Sequence, residues 1–189
     1  MKIKWALNEL KKYQGDSLSL NGTIDLEQSL KKRDSELLSV NPVELNGTIK
    51  VEQHSVFLVN LTVSTQITLP SSRSLEPVET PLNFFFSEIY LGPESSVQPE
   101  QFEDDEIVEQ LSDPILDLRK PLEDAILTNK PTQVFTEEEL KSNQLPSGKN
   151  WKVLTEDIYE EKAFHSNDEE GDPRFAALKN LFPEEDNEN

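Results

Sequence analysis

The chain has 189 residues with 37 acidic and 18 basic side chains, a formal net charge of −19, 34% hydrophobic residues and no cysteine. This length allows one domain, or one domain with an extended tail, and the low hydrophobic content together with 12 prolines indicates much irregular backbone. The absence of cysteine excludes disulfide bonds and thiolate chemistry, and no apolar run approaches the ~20 residues that a membrane-spanning helix needs.

The charge lies in the second part of the sequence. Residues 1–70 hold eight basic and eight acidic side chains, so the net charge of −19 is carried by residues 71–189. Because an acidic surface repels phosphate, we expect any RNA contact in residues 1–70, and we expect the acidic part to meet a basic protein.

The first predicted elements are a short helix and a strand. Ile3, Leu7 and Leu10 follow helical spacing within residues 2–13, and the nearby lysines are not followed by the apolar stretch of a signal peptide. We therefore predict an N-terminal helix and not a signal peptide. Alternating apolar residues then predict a strand from Leu18 to Leu26.

A run of three cations follows this strand, at Lys31, Lys32 and Arg33. A charged run of this kind is typical of a solvated loop, and a contact with RNA is the alternative. We keep both interpretations for these side chains.

A nine-residue pattern occurs twice, as LNGTIDLEQ in residues 20–28 and LNGTIKVEQ in residues 45–53. Two copies are too few for a solenoid, so we interpret them as two similar strands of one sheet. The Asn-Gly pair in each copy is typical of a hairpin turn. A bulge is the alternative, because the apolar parity continues through the pair.

The strongest strand pattern runs from Val56 to Leu69, where apolar residues occupy alternate positions except at Thr65. The same alternation returns from Leu82 to Phe86. Several strands with helices only at the margins predict a mainly β fold with short peripheral helices (α+β), either an antiparallel sheet or a partly closed barrel. We place this β-rich core, with the N-terminal helix, in residues 1–92.

Residues 93–189 are predicted to form an acidic region with short helices. Four successive carboxylates at 103–106 are expected in a solvated loop, since they lack the spacing and glycine of a calcium-binding loop. Pro121 suits the first turn of one helix, and Thr136 to Glu139 has the form of a capping box for another.

A C-terminal docking helix is predicted over residues 173–182, followed by a disordered tail. Asp172 is a suitable N-cap residue, and a helix of ~10 residues needs a docking surface because it is too short to be stable alone in water. Its candidate binding residues, for a partner's groove or for the chain's own sheet, are Arg174, Phe175, Leu178 and Leu181.

Residues 71–77, Ser-Ser-Arg-Ser-Leu-Glu-Pro, resemble the C-x-R-C-L-x-P signature of the YceD-like family, the large ribosomal RNA subunit accumulation proteins. Ser71 and Ser74 stand where many relatives carry cysteines, so a zinc site does not carry over, and we predict no metal and no cofactor. Segments 2–12, 115–123 and 172–181 also resemble the family, in the same order. The resemblance implies a cytoplasmic, non-enzymatic factor that supports accumulation of the 23S ribosomal RNA and assembly of the large subunit.

Arg73 is the first candidate for a contact with a partner, because a forked cation in a turn suits a phosphate or a carboxylate. The alternative is an internal ion pair with Glu76 or Glu88 that holds the turn. Pro77, which ends the signature, completes this tentative site.

Two functions stay open, and neither is enzymatic or involves a membrane. The chain has no Gly-rich phosphate loop, nucleophile elbow or HExxH motif, and its histidines, His54 and His165, lie far apart. The first function is a factor that binds the large-subunit precursor, with direct ribosomal RNA contact through Arg73 or residues 31–33. The second is an acidic adaptor or chaperone that shields a basic ribosomal protein without touching RNA.

Overall fold

The computed structural model of the protein describes residues 1–52, 55–141, 147–149 and 151–153. The chain divides into one compact unit from Met1 to Leu140 and a second from Lys141 to Asn189. The strands are β1 (Lys4–Ala6), β2 (Ser17–Ile24), β3 (Ser39–Val40), β4 (Val43–Val51), β5 (Val56–Pro70), β6 (Pro77–Leu91), β7 (Val108–Gln110), β8 (Ile115–Asp117), β9 (Ser147–Gly148) and β10 (Trp151–Lys152). The α-helices are α1 (Leu7–Leu10), α2 (Glu27–Arg33), α3 (Arg119–Asn129) and α4 (Glu137–Lys141), and 3-10 turns cover Lys11–Tyr13 and Pro99–Gln101.

The main sheet has the strand order β2-β4-β5-β6-β7, with β3 paired to the far part of β5. Its strands pair antiparallel except for β7, which runs parallel to β6. The predicted mainly β fold with short helices is confirmed, and the sheet is open rather than closed into a barrel. No helix in the described part of the chain has the length and apolar character required to cross a bilayer.

The centre of the sheet is the hairpin of β5 and β6, which pair residue for residue from Val56↔Leu91 to Pro70↔Pro77. Alternate residues of β5 are buried, except at Thr65, as the sequence pattern predicted, and they lie on the same face of the sheet as Leu82 and Phe86 of β6. The predicted strand at residues 82–86 is much longer in the structure, because the pairing with β5 continues through polar residues that the pattern did not single out.

The two copies of the repeated pattern form β2 and β4, and they pair with each other. Gly22 lies opposite Leu45 and Gly47 lies opposite Leu20, in a register without a break. The Asn-Gly pairs therefore form neither a turn nor a bulge. Gly47 is required for close packing instead, since a Cβ atom there would lie 2.0 Å from the main-chain oxygen of Asn60 on β5.

The predicted helix over residues 2–13 is wrong in its first half. Residues 4–6 form β1, which pairs antiparallel with β8, and only α1 and the following 3-10 turn are helical. Ile3, Trp5 and Leu7 are all buried, which is the two-residue period of a strand. The helical spacing of Ile3 and Leu7 concealed this pattern.

Residues after 92 complete the same core. The buried cluster beneath the sheet includes Leu116 of β8, Leu118, and Leu122 and Ile126 of α3. The compact unit therefore extends past residue 92, where the sequence suggested a division, and ends at Leu140. Within the second unit, β9 pairs with β10. The predicted helix over residues 173–182 and the tail after it lie outside the described residues.

The segment between β6 and β7 is less irregular than predicted. Val97 and Phe102 pack on a small buried cluster of Val56, Ile89 and Leu91. The predicted solvated carboxylates at 103–106 follow this contact and are exposed. The segment leads into β7, whose existence depends on pairing with β6 rather than on a pattern of its own.

We expect Gly47→Ala to lower the free energy of unfolding by about 3 kcal/mol, because the added methyl group meets rigid backbone on β5. Gly22→Ala is the matched control. Its φ of 155° is close to the 159° of Gly47, but its nearest atoms belong to the flexible side chain of Met1. Denaturant unfolding of both variants checks the prediction, and equal losses would contradict the role given to the Asn60 contact.

Candidate functional site

The turn between β5 and β6, residues 71–76, carries the motif that the sequence singled out. The Ser71 N–H donates to the Glu76 carbonyl at 2.7 Å and the Leu75 N–H donates to the Ser71 carbonyl at 3.1 Å. Leu75 has a φ of 64°, which is unusual for a leucine, and its side chain is 73% exposed. The strained backbone at Leu75 therefore keeps an apolar side chain exposed to solvent.

The carboxylate of Glu139 fastens this turn to α4, an arrangement that we call the Ser71–Glu139 latch. The buried Ser71 hydroxyl lies 2.8 and 2.6 Å from the two oxygens of Glu139, and the Ser74 N–H donates to Oε1 at 2.9 Å. The bond from Ser71, with those from Ser74 and Thr136, lowers the pKa of Glu139 from 4.5 to about 2. The carboxylate thus stays ionised and keeps all of its acceptor capacity for the turn.

The same carboxylate confirms the predicted capping box. The Thr136 N–H donates to Glu139 Oε2 at 2.7 Å, and the Glu139 N–H donates to Thr136 Oγ1 at 3.2 Å. Sequence spacing indicated this local pair of bonds. It did not indicate that the carboxylate also binds Ser71, 68 positions away.

Arg73 has internal partners, but they are not the two that were proposed. Its Nη1 donates to the Glu139 carbonyl at 3.2 Å, and its guanidinium carbon lies 4.7 Å from the ring centroid of Phe135. Glu76 lies in the same turn as Arg73 and Pro77 begins β6, whereas Glu88 lies near the far end of β6. The side chain of Arg73 is still exposed and uses one of its five N–H donors here, so it can also bind an external group.

The three cations at residues 31–33 form the last turn of α2 rather than the predicted loop. Lys31 donates to the Leu38 carbonyl at 2.7 Å. Arg33 pairs with two carboxylates of α3, Glu123 at 3.2 Å and Asp124. Cations are favourable at a helix C-terminus, so structural requirements account for much of this triplet. Of these three cations, only Lys32 has no bonded partner among the described residues.

Ion pairing extends to most other cations of the compact unit. Further pairs within the described residues are Lys2–Glu9, Lys4–Asp117, Lys11–Glu94, Lys50–Glu52 and Lys130 with Asp34 and Glu36. Exposed pairs of this kind contribute little stability, but they neutralise the cations. The unpaired charge that remains for a partner is therefore mainly negative.

An acidic cleft of about 460 Å³ lies between β6, β7 and α3. Its lining includes Glu88, Glu109 and Asp124, together with the cations Arg119 and Lys120. Burial raises the pKa of Glu88, although the hydroxyl of Tyr90 donates a hydrogen bond to it, and the nearby Glu109 and Asp124 raise the pKa further. The sequence analysis named Glu88 as a candidate residue but not Glu109 or Asp124. These residues lie on β6, β7 and α3, and no local sequence pattern connects three separate elements.

No group of acidic or histidine side chains in the described ranges has an arrangement that could hold a metal ion. Arg174, Phe175, Leu178 and Leu181, the candidate residues of the C-terminal helix, lie outside those ranges, as does His54.

Comparison with known proteins gives one family. The family model described as "Large ribosomal RNA subunit accumulation protein YceD" matches residues 59–182, a segment that includes the Ser71–Glu139 latch and the acidic cleft. The chain is also 27% identical to "Uncharacterized protein YlbN" of Bacillus subtilis (strain 168) over 185 residues, which cover 97% of this chain and 99% of the relative. No solved structure matches the chain.

We expect Glu139→Gln to lower the melting temperature at neutral pH, because an amide cannot accept all the bonds of the latch. The folded-state pKa of Glu139 lies below its ordinary value, so its contribution is present above pH 4.5 and lost as the pH falls through about 2. The difference in melting temperature from the wild type should therefore shrink between pH 4.5 and 2. Glu138→Gln, on the exposed side of α4, is the control. A difference that does not change with pH would contradict the latch.

We expect Glu88→Gln to raise the melting temperature at pH 7, because it removes a partly buried charge that faces other carboxylates and keeps an acceptor for Tyr90. The pKa of Glu88 is raised on folding, so its favourable contribution is present below pH 4.5 and lost as the pH rises through the folded-state pKa. The gain should disappear near pH 4. Glu79→Gln, on the same strand, is the control, and a loss of stability at pH 7 would contradict this account.

Proposed function

The chain belongs to the family of the large ribosomal RNA subunit accumulation protein YceD, and from this premise we propose that it is a non-enzymatic, cytoplasmic factor that supports accumulation of 23S ribosomal RNA and assembly of the large subunit. The observation that carries the proposal is the family match over residues 59–182. That segment includes the turn at residues 71–76. The exposed side chains of Arg73 and Leu75 in this turn offer a partner one cationic contact and one apolar contact.

The geometry of the turn supports a binding role rather than a purely structural one. A strained leucine that is 73% exposed contributes nothing to the core, and the forked cation beside it keeps free N–H donors. The Ser71–Glu139 latch holds both side chains in a fixed position, which reduces the entropy lost on binding.

A second candidate function is the acidic adaptor that shields a basic ribosomal protein without touching RNA. The distribution of ion pairs favours it: Lys31 and Arg33, two of the four cations proposed for RNA contact, are bonded internally. Residues 71–140 meanwhile hold seventeen acidic and four basic side chains. A surface of this sign attracts basic proteins and repels the phosphates of RNA.

The test is sedimentation of cell lysates on sucrose gradients, combined with measurement of the ratio of large-subunit to small-subunit ribosomal RNA. We expect Arg73→Ala to weaken association with large-subunit precursors roughly tenfold, the effect of losing one charged hydrogen bond, and to lower that ratio. Arg73→Lys keeps the positive charge but lacks the forked guanidinium. A partial loss of precursor association in this variant would show that the guanidinium geometry contributes in addition to the charge.

Lys12→Ala, which removes another exposed cation, is the control for general charge loss. Unchanged ribosomal RNA and precursor binding in Arg73→Ala would contradict the first function. Recovery of the protein away from the precursors, in complex with a basic ribosomal protein, would support the second.

A further inference from the structure

The edge of the main sheet along β6 is incomplete. β7 pairs with β6 only at residues 89–91, so among the described residues the preceding part of β6 has a paired strand on one side alone. The Ile89 N–H and the Leu91 carbonyl both bond toward the β7 side. Because these directions alternate along a regular strand, the backbone groups of Asn83, Phe85 and Ser87 point to the same open side.

These backbone groups have no hydrogen-bond partner within the described residues, and all three residues are exposed. Phe85 stands out among them, since its ring is 67% exposed on the outer face of the sheet. The open stretch is limited by Pro81, which has no N–H to donate, and by Ile89, where β7 begins.

Two other places on the edges of the sheet are protected in the usual ways. Prolines occupy positions 77 and 81 of β6, and the amino group of Met1 donates to the Thr23 carbonyl at the edge of β2. Within the part of the chain that the structure describes, residues 82–88 have no such protection, although an open edge invites pairing with another chain. We therefore interpret this stretch as a binding edge.

The charge around the open edge selects the kind of partner. β6 and β7 contain Glu79, Glu88 and Glu109 but no lysine or arginine, and four further carboxylates at 103–106 precede β7. An RNA strand would meet repulsion here, and so would a second copy of this acidic chain. A cationic polypeptide would be attracted.

We propose that the edge of β6 between Pro81 and Ile89 binds an extended, lysine- or arginine-rich segment of a partner protein as an added β-strand. The backbone groups of Asn83, Phe85 and Ser87 supply the hydrogen bonds of the new ladder. Side chains of an added strand alternate between the two faces of the sheet. Apolar residues then face the ring of Phe85, and basic residues face Glu88 and the acidic cleft.

This inference deepens the proposed function and rests on it in one respect, the choice of a basic protein of the assembling subunit as the partner. The binding experiment uses purified full-length protein and fluorescence anisotropy. The probe is a labelled peptide of about ten residues in which lysine and valine alternate. Two matched peptides serve as controls: one with the same composition in separate lysine and valine blocks, and one with methylated backbone nitrogens.

We expect the alternating peptide to bind wild-type protein about tenfold more tightly than either control peptide, because only it can form the ladder with the correct side chains on each face. Ser87→Pro removes an N–H that points away from β5 and should weaken binding by about the same factor. Ser87→Ala, which keeps that N–H, should bind like the wild type. Circular dichroism and thermal melting verify that both variants are folded.

Equal binding of the alternating and block peptides would overturn the proposal, since attraction between charges would then explain all of the affinity. Unchanged binding by Ser87→Pro, preferential binding of a single-stranded uridine oligonucleotide, or self-association of the protein through this edge would also overturn it. If the peptide results hold but cells with Ser87→Pro keep normal ribosomal RNA, the edge site is supported and the proposed function is what fails.

Discussion

The unbroken pairing of β5 with β6 is the constraint on which the rest of this structure depends. Fifteen residues on each strand pair in one register, so the turn at residues 71–76 and the acidic cleft at Glu88 lie at opposite ends of a single rigid element. The inner face of this hairpin carries the core, and among the described residues the edge of β6 before Ile89 has no paired strand. A shift of one residue would exchange the two faces and destroy all of these features together.

The second property of the compact unit is its distribution of charge. Cations of the charge-balanced first part of the chain pair with carboxylates from both parts, as in Arg33 with Glu123 and Lys4 with Asp117. These long-range pairs join segments distant in sequence and leave a surface of mostly uncompensated negative charge. A surface of this sign attracts basic polypeptides and repels the phosphates of RNA.

Local patterns in the sequence predicted the local parts of this structure. The alternation in β5 and the capping box at Thr136 and Glu139 involve neighbouring residues, and both are found as predicted. Features that depend on distant partners were missed or misassigned: residues 4–6 are a strand because β8 lies beside them, and Glu139 bonds to Ser71 across the chain. Gly47 shows the same limit, since only the approach of β5 explains why a side chain is excluded there.

The fastening of the turn by a carboxylate has a consequence for the conditions under which the protein can work. The C-x-R-C-L-x-P signature that residues 71–77 resemble has cysteines at the positions of Ser71 and Ser74, and cysteine thiols are open to oxidation. A fastening made of a hydroxyl group, backbone N–H groups and a carboxylate contains no thiol that could be oxidised or could bind zinc. This turn should therefore keep its shape under oxidising conditions and in the presence of chelating agents.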